Sequence, residues 1–344
     1  MHQGFLKKCA TAILPAAAAL MLALSPASAE DRKTVTVGIA GSSSQIALLA
    51  FNVARTKNFI TDEGVDLEVI DFGSGSKGVQ AFVSGDVDMV AATFEHAIRL
   101  NSKGVGAKSV VSMSKAPGIV LSVTKDFAAE YKDLNSLVGK NVGLSAPGSA
   151  SHTFLNLFLR SKGIQPDEVG VVGVGNAAGA VAAIGTGGEI QAIVNYDPVI
   201  TMLEQEGLAT PVIDLRDIKA TKETLGTDFT FLSLIAHNGY IEKNPDAVQA
   251  VVTGVVKALQ WIPTATPEEV RAAVPEEFWK QNPDLYLESI KKNLSGLSTD
   301  GQVTLSEAEG VYKTLLEDDA SIDASKLDFA ATFDNSFAEK ANTN

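Results

Sequence analysis

The feature that most constrains the fold is a repeated unit: a short apolar run, a turn rich in Gly and Ser, and then a helical pattern. The first example is Val35–Ile39, which is followed by a polar turn and a predicted helix over 46–57. Strands that alternate with helices predict parallel sheets and an α/β fold. The apolar runs of these units are 35–39, 65–70, 87–90, 141–144, 169–172 and 190–194.

The pattern changes to helices only from Ile241 onward. Asn244-Pro245-Asp246 begins a helix, because Asn is a preferred cap and Pro is tolerated in the first turn. Three more helix starts are expected at 266–269, 282–284 and 304–307. The earlier units suffice for two α/β lobes, so we expect these C-terminal helices to cover the first lobe.

Residues 1–29 have the layout of a secretory signal peptide. Lys7 and Lys8 precede an apolar run over 10–24, and Ala27-Ser-Ala29 is a typical cleavage site, so we expect cleavage after Ala29. No later segment has the roughly 18 consecutive apolar residues of a membrane helix. We therefore expect an exported protein, in the periplasm, without stable membrane insertion.

Composition excludes several classes of function. The only cysteine is Cys9, inside the predicted signal peptide, so the mature chain has neither a thiol nucleophile nor a thiolate metal site. The formal charge is −13, and removal of Lys7 and Lys8 makes it −15. A chain this acidic has no electrostatic footprint for nucleic acid or an anionic membrane.

The polar turns that follow the predicted strands are the candidate ligand site. Ligands of open parallel sheets bind outside the carboxyl ends of the strands, and the helices that begin there can hold anions by their free N–H groups. In the first lobe the candidates are Ser43, Ser44, Gln45, Gly75, Ser76, Thr93, Phe94 and Glu95. In the second lobe they are Ser149, Ser151, His152, Asn176, Asn195, Tyr196 and Asp197.

Two of these candidates carry charge. Glu95 and Asp197 at a ligand cleft suggest an ammonium, amidine or amino-pyrimidine group on the ligand. Arg is absent from these turns and Lys77 is the only nearby cation, so a purely anionic ligand would depend on helix dipoles and hydroxyls. Simpler interpretations stay open: the serines and Asn176 as helix caps, Phe94 as a core residue, and Glu95 on a solvated helix face.

Several stretches occur in a characteristic order and spacing, among them Val79-Gln-Ala-Phe-Val-Ser-Gly-Asp-Val-Asp88 and Leu134-Asn-Ser-Leu-Val-Gly-Lys-Asn-Val-Gly143. The others are 57–60, 182–198 and 244–246. Their order resembles that of the nitrate/sulfonate/taurine-type ABC substrate-binding proteins, a group that includes binders of thiamine pyrimidine precursors. The resemblance covers about residues 33 to 340.

The resemblance implies the class II periplasmic-binding-protein fold, an α/β fold of two lobes with mixed, mainly parallel sheets and a two-strand hinge that closes on the ligand. We expect lobe 1 to comprise 30–120 plus 233–344, and lobe 2 to comprise 121–232. The hinge crossings are expected near Gly118–Lys125 and Phe229–Ala236.

The function that the resemblance implies is that of a binding protein rather than an enzyme. It would capture a small organic anion or zwitterion, sulfonate- or taurine-like, or alternatively a neutral or aminated heterocycle such as a thiamine pyrimidine precursor. The expected partners are an ABC permease and its ATPase. We expect a monomer, with no cofactor and no metal.

Two enzyme classes are weighed against this interpretation. Gly173, Gly175 and Gly179 imitate a dinucleotide-binding fingerprint, but their spacing is one residue too long and the unit lies in the middle of the chain. The pyrimidine synthases of thiamine biosynthesis share the fold but carry a cysteine-rich motif, which this mature chain lacks. The histidines His96, His152 and His237 are too dispersed to suggest a metal site or a triad.

Overall fold

Two five-stranded sheets form the framework of the protein. The computed structural model describes residues 32–73, 75–316, 319 and 321–343; the predicted signal peptide lies outside the described residues. The strands are β1 (Lys33–Ile39), β2 (Val65–Asp71), β3 (Met89–Thr93), β4 (Ala107–Ser112), β5 (Ile119–Thr124), β6 (Asn141–Leu144), β7 (Gly170–Gly173), β8 (Ala192–Asn195), β9 (Ala209–Leu215) and β10 (Leu232–His237).

Each sheet contains one strand that runs against the other four. The first sheet has the order β2-β1-β3-β10-β4 and the second β7-β6-β8-β5-β9. In the first, β10 is antiparallel to both of its neighbours, and in the second β5 is. The other pairings, β1 with β2 and β3 and β6 with β7 and β8, are parallel. The expected two-lobed α/β architecture with mixed, mainly parallel sheets is therefore confirmed.

Helices follow most strands and occupy the C-terminal part of the chain. They are α1 (Leu49–Thr56), α2 (Gly75–Ser84), α3 (Glu95–Ser102), α4 (Ala150–Arg160), α5 (Ala178–Gly185), α6 (Val199–Gln205), α7 (Ile218–Leu225), α8 (Asn238–Lys243), α9 (Pro245–Trp261), α10 (Pro267–Ala272), α11 (Pro283–Asn293), α12 (Leu305–Val311) and α13 (Ser336–Asn342). Within the described ranges, every helix falls short of the length and hydropathy that crossing a membrane requires.

The C-terminal helices begin where their capping residues predict. Thr266 caps α10 and Thr304 caps α12, each in a capping box with the Glu three residues later. The side chain of Asn282 accepts a hydrogen bond from the N–H of Leu285 at the start of α11. These starts were expected because a cap is a local signal that needs no distant partner.

The chain passes between the sheets at 113–118 and again at 216–231. The N–H of Phe231 donates to the carbonyl of Ser114 and that of Gly118 to Leu215, at 2.9 Å each, so backbone bonds brace the two crossings. The ranges expected for the crossings overlap regular strands instead, because 119–124 is β5 of the second sheet and 232–237 is β10 of the first.

The C-terminal helices contact both lobes. Helix α9 packs on α1 and β4 of the first lobe, through apolar residues such as Val251 and Val255 that are fully buried. Helix α11 contacts α6 of the second lobe. Helices of the C-terminal region therefore contact elements of both sheets' lobes.

Candidate functional site

A cavity of about 240 Å³ lies where the carboxyl ends of strands from both sheets meet. Its wall is formed by the segments that follow β1, β2 and β3 in the first lobe and β6, β7 and β8 in the second. Phe231, at the end of the second crossing, and Leu232, the first residue of β10, also line the cavity. The lining residues are Ala40, Gly41, Gln45, Gly73, Gly75, Ser76, Thr93, Glu95, His96, Ser145, Ala146, Pro147, Gly148, Ser149, Ala150, Gly175, Asn176, Tyr196, Phe231 and Leu232.

The loop after β1 is held in place by Asp71, at the end of β2. One carboxylate oxygen of Asp71 accepts the N–H of Ser43 at 2.7 Å, and the other accepts the N–H of Gly73 at 2.9 Å. The carbonyl of Ser43 accepts a hydrogen bond from the Asn52 side chain at 2.7 Å. Asp71 therefore ties two cavity loops together, a role that no local sequence pattern predicts.

Only one of the three candidates on this loop reaches the cavity. Gln45 lines it. Ser43 is buried, and its backbone N–H and carbonyl bond Asp71 and Asn52, while the hydroxyl of Ser44 lies 2.9 Å from that of Ser42. The structure thus gives Ser43 and Ser44 a role in shaping the loop. None of the three caps the following helix through its side chain, since the cap residue Gln45 makes no such bond.

Helix α2 approaches the β1 loop so closely that one position must be glycine. A Cβ at Gly78 would lie 2.8 Å from the Cα of Ala40, a distance that real Cβ atoms essentially never show. This approach brings the first turn of α2, with Gly75 and Ser76, to the cavity wall. The positive end of the helix dipole at this first turn favours a negatively charged group nearby.

The end of β3 and the start of α3 contribute Thr93, Glu95 and His96 to the wall. Phe94 lies between them but is fully buried in the hydrophobic core. Its ring is therefore not available to stack on a ligand, and the alternative of a core residue is correct. His96 is not among the predicted site residues, although its neighbour Glu95 is, and the structure places both in the lining.

Glu95 is a buried carboxylate of the cavity wall, and no other described lining residue is Asp or Glu. Its residue is 6 % exposed, and its Oε2 atom is buried with no hydrogen-bond partner among the described residues. Burial, with the Glu95 charge as a second cause, raises the pKa of Tyr196 across the cavity. Burial also lowers the pKa of His96, against the opposing effect of Glu95, so His96 is neutral at pH 7.

The loop before α4 is stabilised by three serine hydroxyls that bond one another. The hydroxyls of Ser145 and Ser149 lie 2.9 Å apart, and that of Ser151 lies 2.8 Å from each. His152 accepts the N–H of Gly148 through Nδ1 at 3.0 Å, and partial burial lowers its pKa. Ser149 lines the cavity, whereas Ser151 and His152 support the loop from behind.

Asn176 and Tyr196 line the second-lobe wall, and Asn195 supports them. The buried side chain of Asn195 donates to the carbonyl of Gly175 and accepts from the N–H of Tyr196, at 2.9 Å each. Asn176 does not cap α5, because the cap residue is Ala177. The cap alternative for Asn176 is therefore wrong, and its side chain remains available at the wall.

Asp197 does not line the cavity. Its Oδ2 accepts from Arg216 at 3.2 Å and from Asn293 at 2.7 Å, and its Oδ1 accepts from the N–H of Thr201 at 2.8 Å. The expectation that Asp197 meets a cation on the ligand is corrected accordingly: the protein itself supplies the cation, Arg216. Burial alone would lower the pKa of Arg216, but its bond to Asp214 and the nearby carboxylates raise it.

Aromatic rings connect the cavity to the second crossing. The ring centroid of Phe231 lies 6.5 Å from that of Tyr196 and 6.2 Å from that of Phe154, a core residue on α4. Phe231 was expected only as part of a hinge strand. Among the described residues no group of three or more His, Cys, Asp or Glu is arranged to hold a metal ion.

Solved structures share this architecture. A protein from Bordetella bronchiseptica RB50 is 35% identical in sequence, with a TM-score of 0.84 over 91% of this chain and 98% of that chain. The periplasmic nitrate-binding protein NrtA from Synechocystis PCC 6803 is 14% identical, with a TM-score of 0.70 over 91% of this chain and 89% of that one. At this low sequence identity, the similarity to NrtA shows a shared fold.

Sequence comparison gives a family and two kinds of relative. The model of the NMT1/THI5-like family matches residues 45–270. The Bacillus subtilis protein YtlA, whose name describes it as a binding protein, is 24% identical over 79% of this chain and 79% of its own length. The Saccharomyces cerevisiae 4-amino-5-hydroxymethyl-2-methylpyrimidine phosphate synthase THI12 is 23% identical over 67% of this chain and 64% of its own. These findings confirm the family resemblance.

Proposed function

Since the chain belongs to the NMT1/THI5-like family, we propose that it is the periplasmic substrate-binding subunit of an ABC importer. It captures a small organic anion or zwitterion, sulfonate- or taurine-like, between its two lobes. The lobes close about the crossings at 113–118 and 216–231, and the closed form docks on a permease whose ATPase supplies the work. This proposal includes export, so the mature protein begins after Ala29.

One observation carries the proposal: a single cavity has walls from the strand ends of both sheets. A ligand that contacts loops of both lobes binds the closed form more tightly than the open one, and this difference in affinity drives closure. The proposed ligand contacts in the first lobe are Gln45, Gly75, Ser76, Thr93 and Glu95. In the second lobe they are Ser149, Asn176 and Tyr196.

The lining also supports an anionic group on the ligand. The first turns of α2 and α4 reach the wall at Gly75 and Ala150, from opposite lobes. None of the described lining residues is Lys or Arg. An anion would therefore be held by backbone N–H groups, helix dipoles and the hydroxyls of Ser76 and Ser149 rather than by a side-chain cation.

An aminated heterocycle, such as a thiamine pyrimidine precursor, is the second candidate ligand. The buried carboxylate of Glu95 and the aromatic rings of Tyr196 and Phe231 favour it, since a planar amine would find both a charge partner and ring faces. The yeast relatives, whose names describe them as pyrimidine phosphate synthases, raise the related possibility of an enzyme. Their resemblance covers about two thirds of this chain.

Calorimetry and thermal unfolding test the proposal. The protein is titrated with taurine, ethanesulfonate, nitrate and 4-amino-5-hydroxymethyl-2-methylpyrimidine. We expect at least one organic compound to bind with a 1:1 stoichiometry, and at 100 times its Kd to stabilise the protein by about 2.7 kcal/mol. The variant Ser149→Ala should weaken the binding of a sulfonate, because it removes a lining hydroxyl. Chemical conversion of a bound compound would contradict the proposal and favour an enzyme.

A further inference from the structure

The unpartnered oxygen of Glu95 is an unusual feature of the cavity. Buried polar atoms nearly always have hydrogen-bond partners, and a buried carboxylate without one costs free energy. Glu95 is the first residue of α3, so the dipole of this helix reduces the cost of the charge. The dipole supplies no donor to Oε2, however, and the described residues supply none either.

The charged groups around Glu95 do not provide the missing partner. Arg99, one turn further along α3, forms an ion pair with Asp319 instead. His96 is kept neutral by burial, which lowers its pKa. The hydroxyl of Tyr196 stays protonated because burial raises its pKa, yet it makes no hydrogen bond to Glu95 in this structure. Glu95 lines the cavity, and its carboxylate has the capacity to accept a further hydrogen bond there.

The contrast with Asp197 excludes the other candidate. Asp197 is as deeply buried as Glu95, but both of its oxygens are occupied by donors from the protein. A ligand would have to displace Arg216 or Asn293 to reach it. Glu95 is thus the carboxylate that a ligand in this cavity can use.

We infer that Glu95 binds a protonated nitrogen of the ligand, an ammonium or an amidinium-like group such as a protonated amino-pyrimidine. This inference rests on the proposed function, because it takes the cavity to be the ligand site. The anionic end of the same ligand lies at the first turns of α2 and α4. The site then selects zwitterions or cationic heterocycles, and it rejects simple anions such as nitrate, whose charge Glu95 repels.

Matched pairs of compounds test the inference. Each pair has the same frame with and without the nitrogen: taurine against ethanesulfonate, β-alanine against propionate, and 4-amino-5-hydroxymethyl-2-methylpyrimidine against its 4-hydroxy analogue. Binding is measured by calorimetry for the wild-type protein, for Glu95→Gln, and for Glu242→Gln. The last variant makes the same charge change at an exposed residue of α8, far from the lining.

The expected result is that the aminated member of at least one pair binds at least tenfold more tightly than its partner. Glu95→Gln should reduce that affinity by 10- to 100-fold, the range for a lost hydrogen bond to a charged group, while Glu242→Gln leaves it unchanged. Equal affinity within every binding pair, or unchanged affinity in Glu95→Gln, overturns the inference but leaves the proposed function intact. Failure of every compound to bind a folded wild-type protein counts against both.

Discussion

Glu95 and Asp197 occupy comparable places in the two lobes and have opposite environments. Glu95 follows β3 and Asp197 follows β8. Each of these strands lies in its sheet between the antiparallel strand and the middle one of the neighbouring parallel strands, β1 or β6. The two residues are 6 % and 3 % exposed. Asp197 accepts three hydrogen bonds, whereas Oε2 of Glu95 accepts none from the described residues. Position and burial therefore do not distinguish a structural carboxylate from one that can bind a ligand. The number of hydrogen-bond donors that the protein supplies to the carboxylate does distinguish them.

The partners of Asp197 connect the second lobe to the C-terminal region. Asn293 comes from the end of α11, and Lys292 of the same helix bonds Glu204 at 2.5 Å. Glu204 and Asp197 both also bond Arg216. This cluster of hydrogen bonds and ion pairs anchors α11 to the second lobe, whereas Glu95 belongs to no comparable cluster among the described residues.

The largest expected effect on stability is that of Asp197→Ala. It leaves Arg216 buried without one of its carboxylates and Asn293 without its acceptor, so the free energy of unfolding should fall by about 3–5 kcal/mol. Denaturant unfolding followed by circular dichroism measures this change. A loss below about 1 kcal/mol would show that Asp197 does not hold the cluster together, and would remove the basis of the comparison.

A smaller effect is expected from Lys292→Met. The ion pair of Lys292 with Glu204 lies at the rim of the cluster, where the two side chains are 24% and 21% exposed. A pair with this exposure contributes at most about 1 kcal/mol, and Met retains the packing of the aliphatic stem. The same unfolding experiment applies. If the free energy of unfolding fell as far as in Asp197→Ala, the ion pair at the rim, rather than the buried centre of the cluster, would be what holds α11 in place.

The smallest change in stability is expected from Glu95→Gln in the ligand-free protein. The substitution removes a buried charge and breaks no hydrogen bond to Oε2 from the described residues. The free energy of unfolding should therefore stay within about 0.5 kcal/mol of the wild-type value or rise. Thermal unfolding beside Glu242→Gln measures it. A destabilisation of 2 kcal/mol or more would reveal a stabilising partner for Glu95, and the two carboxylates would then be alike.

The sequence predicts where these carboxylates lie but not what they touch. Apolar runs and Gly/Ser turns place Glu95 and Asp197 at strand ends, because strand and turn signals are local. The side-chain partners of Asp197 lie 19 residues away, at Arg216, and 96 residues away, at Asn293. No periodicity encodes such a long-range pairing, so the two residues looked equivalent.

The same limit explains the other differences between prediction and structure. Gln45, Ser149, Asn176 and Tyr196 were identified as candidates from strand-end position alone, and they line the cavity. Ser43 and Ser151 share that position but do not line the cavity: the backbone N–H of Ser43 bonds Asp71, and the hydroxyl of Ser151 bonds neighbouring serines. Which way a loop side chain points depends on such bonds, which appear only once the fold is assembled.

The central claim is that the two lobes close on a ligand held between their strand ends, and a distance between the lobes tests it most directly. The protein without residues 1–29 lacks the only cysteine of the sequence, so Gln80→Cys on α2 and Lys162→Cys after α4, both exposed, can carry spin labels. Pulsed electron resonance then gives the distance distribution with and without the tightest-binding compound of the panel. The account predicts a shorter and narrower distribution on binding, whereas tight binding with an unchanged distance would contradict it.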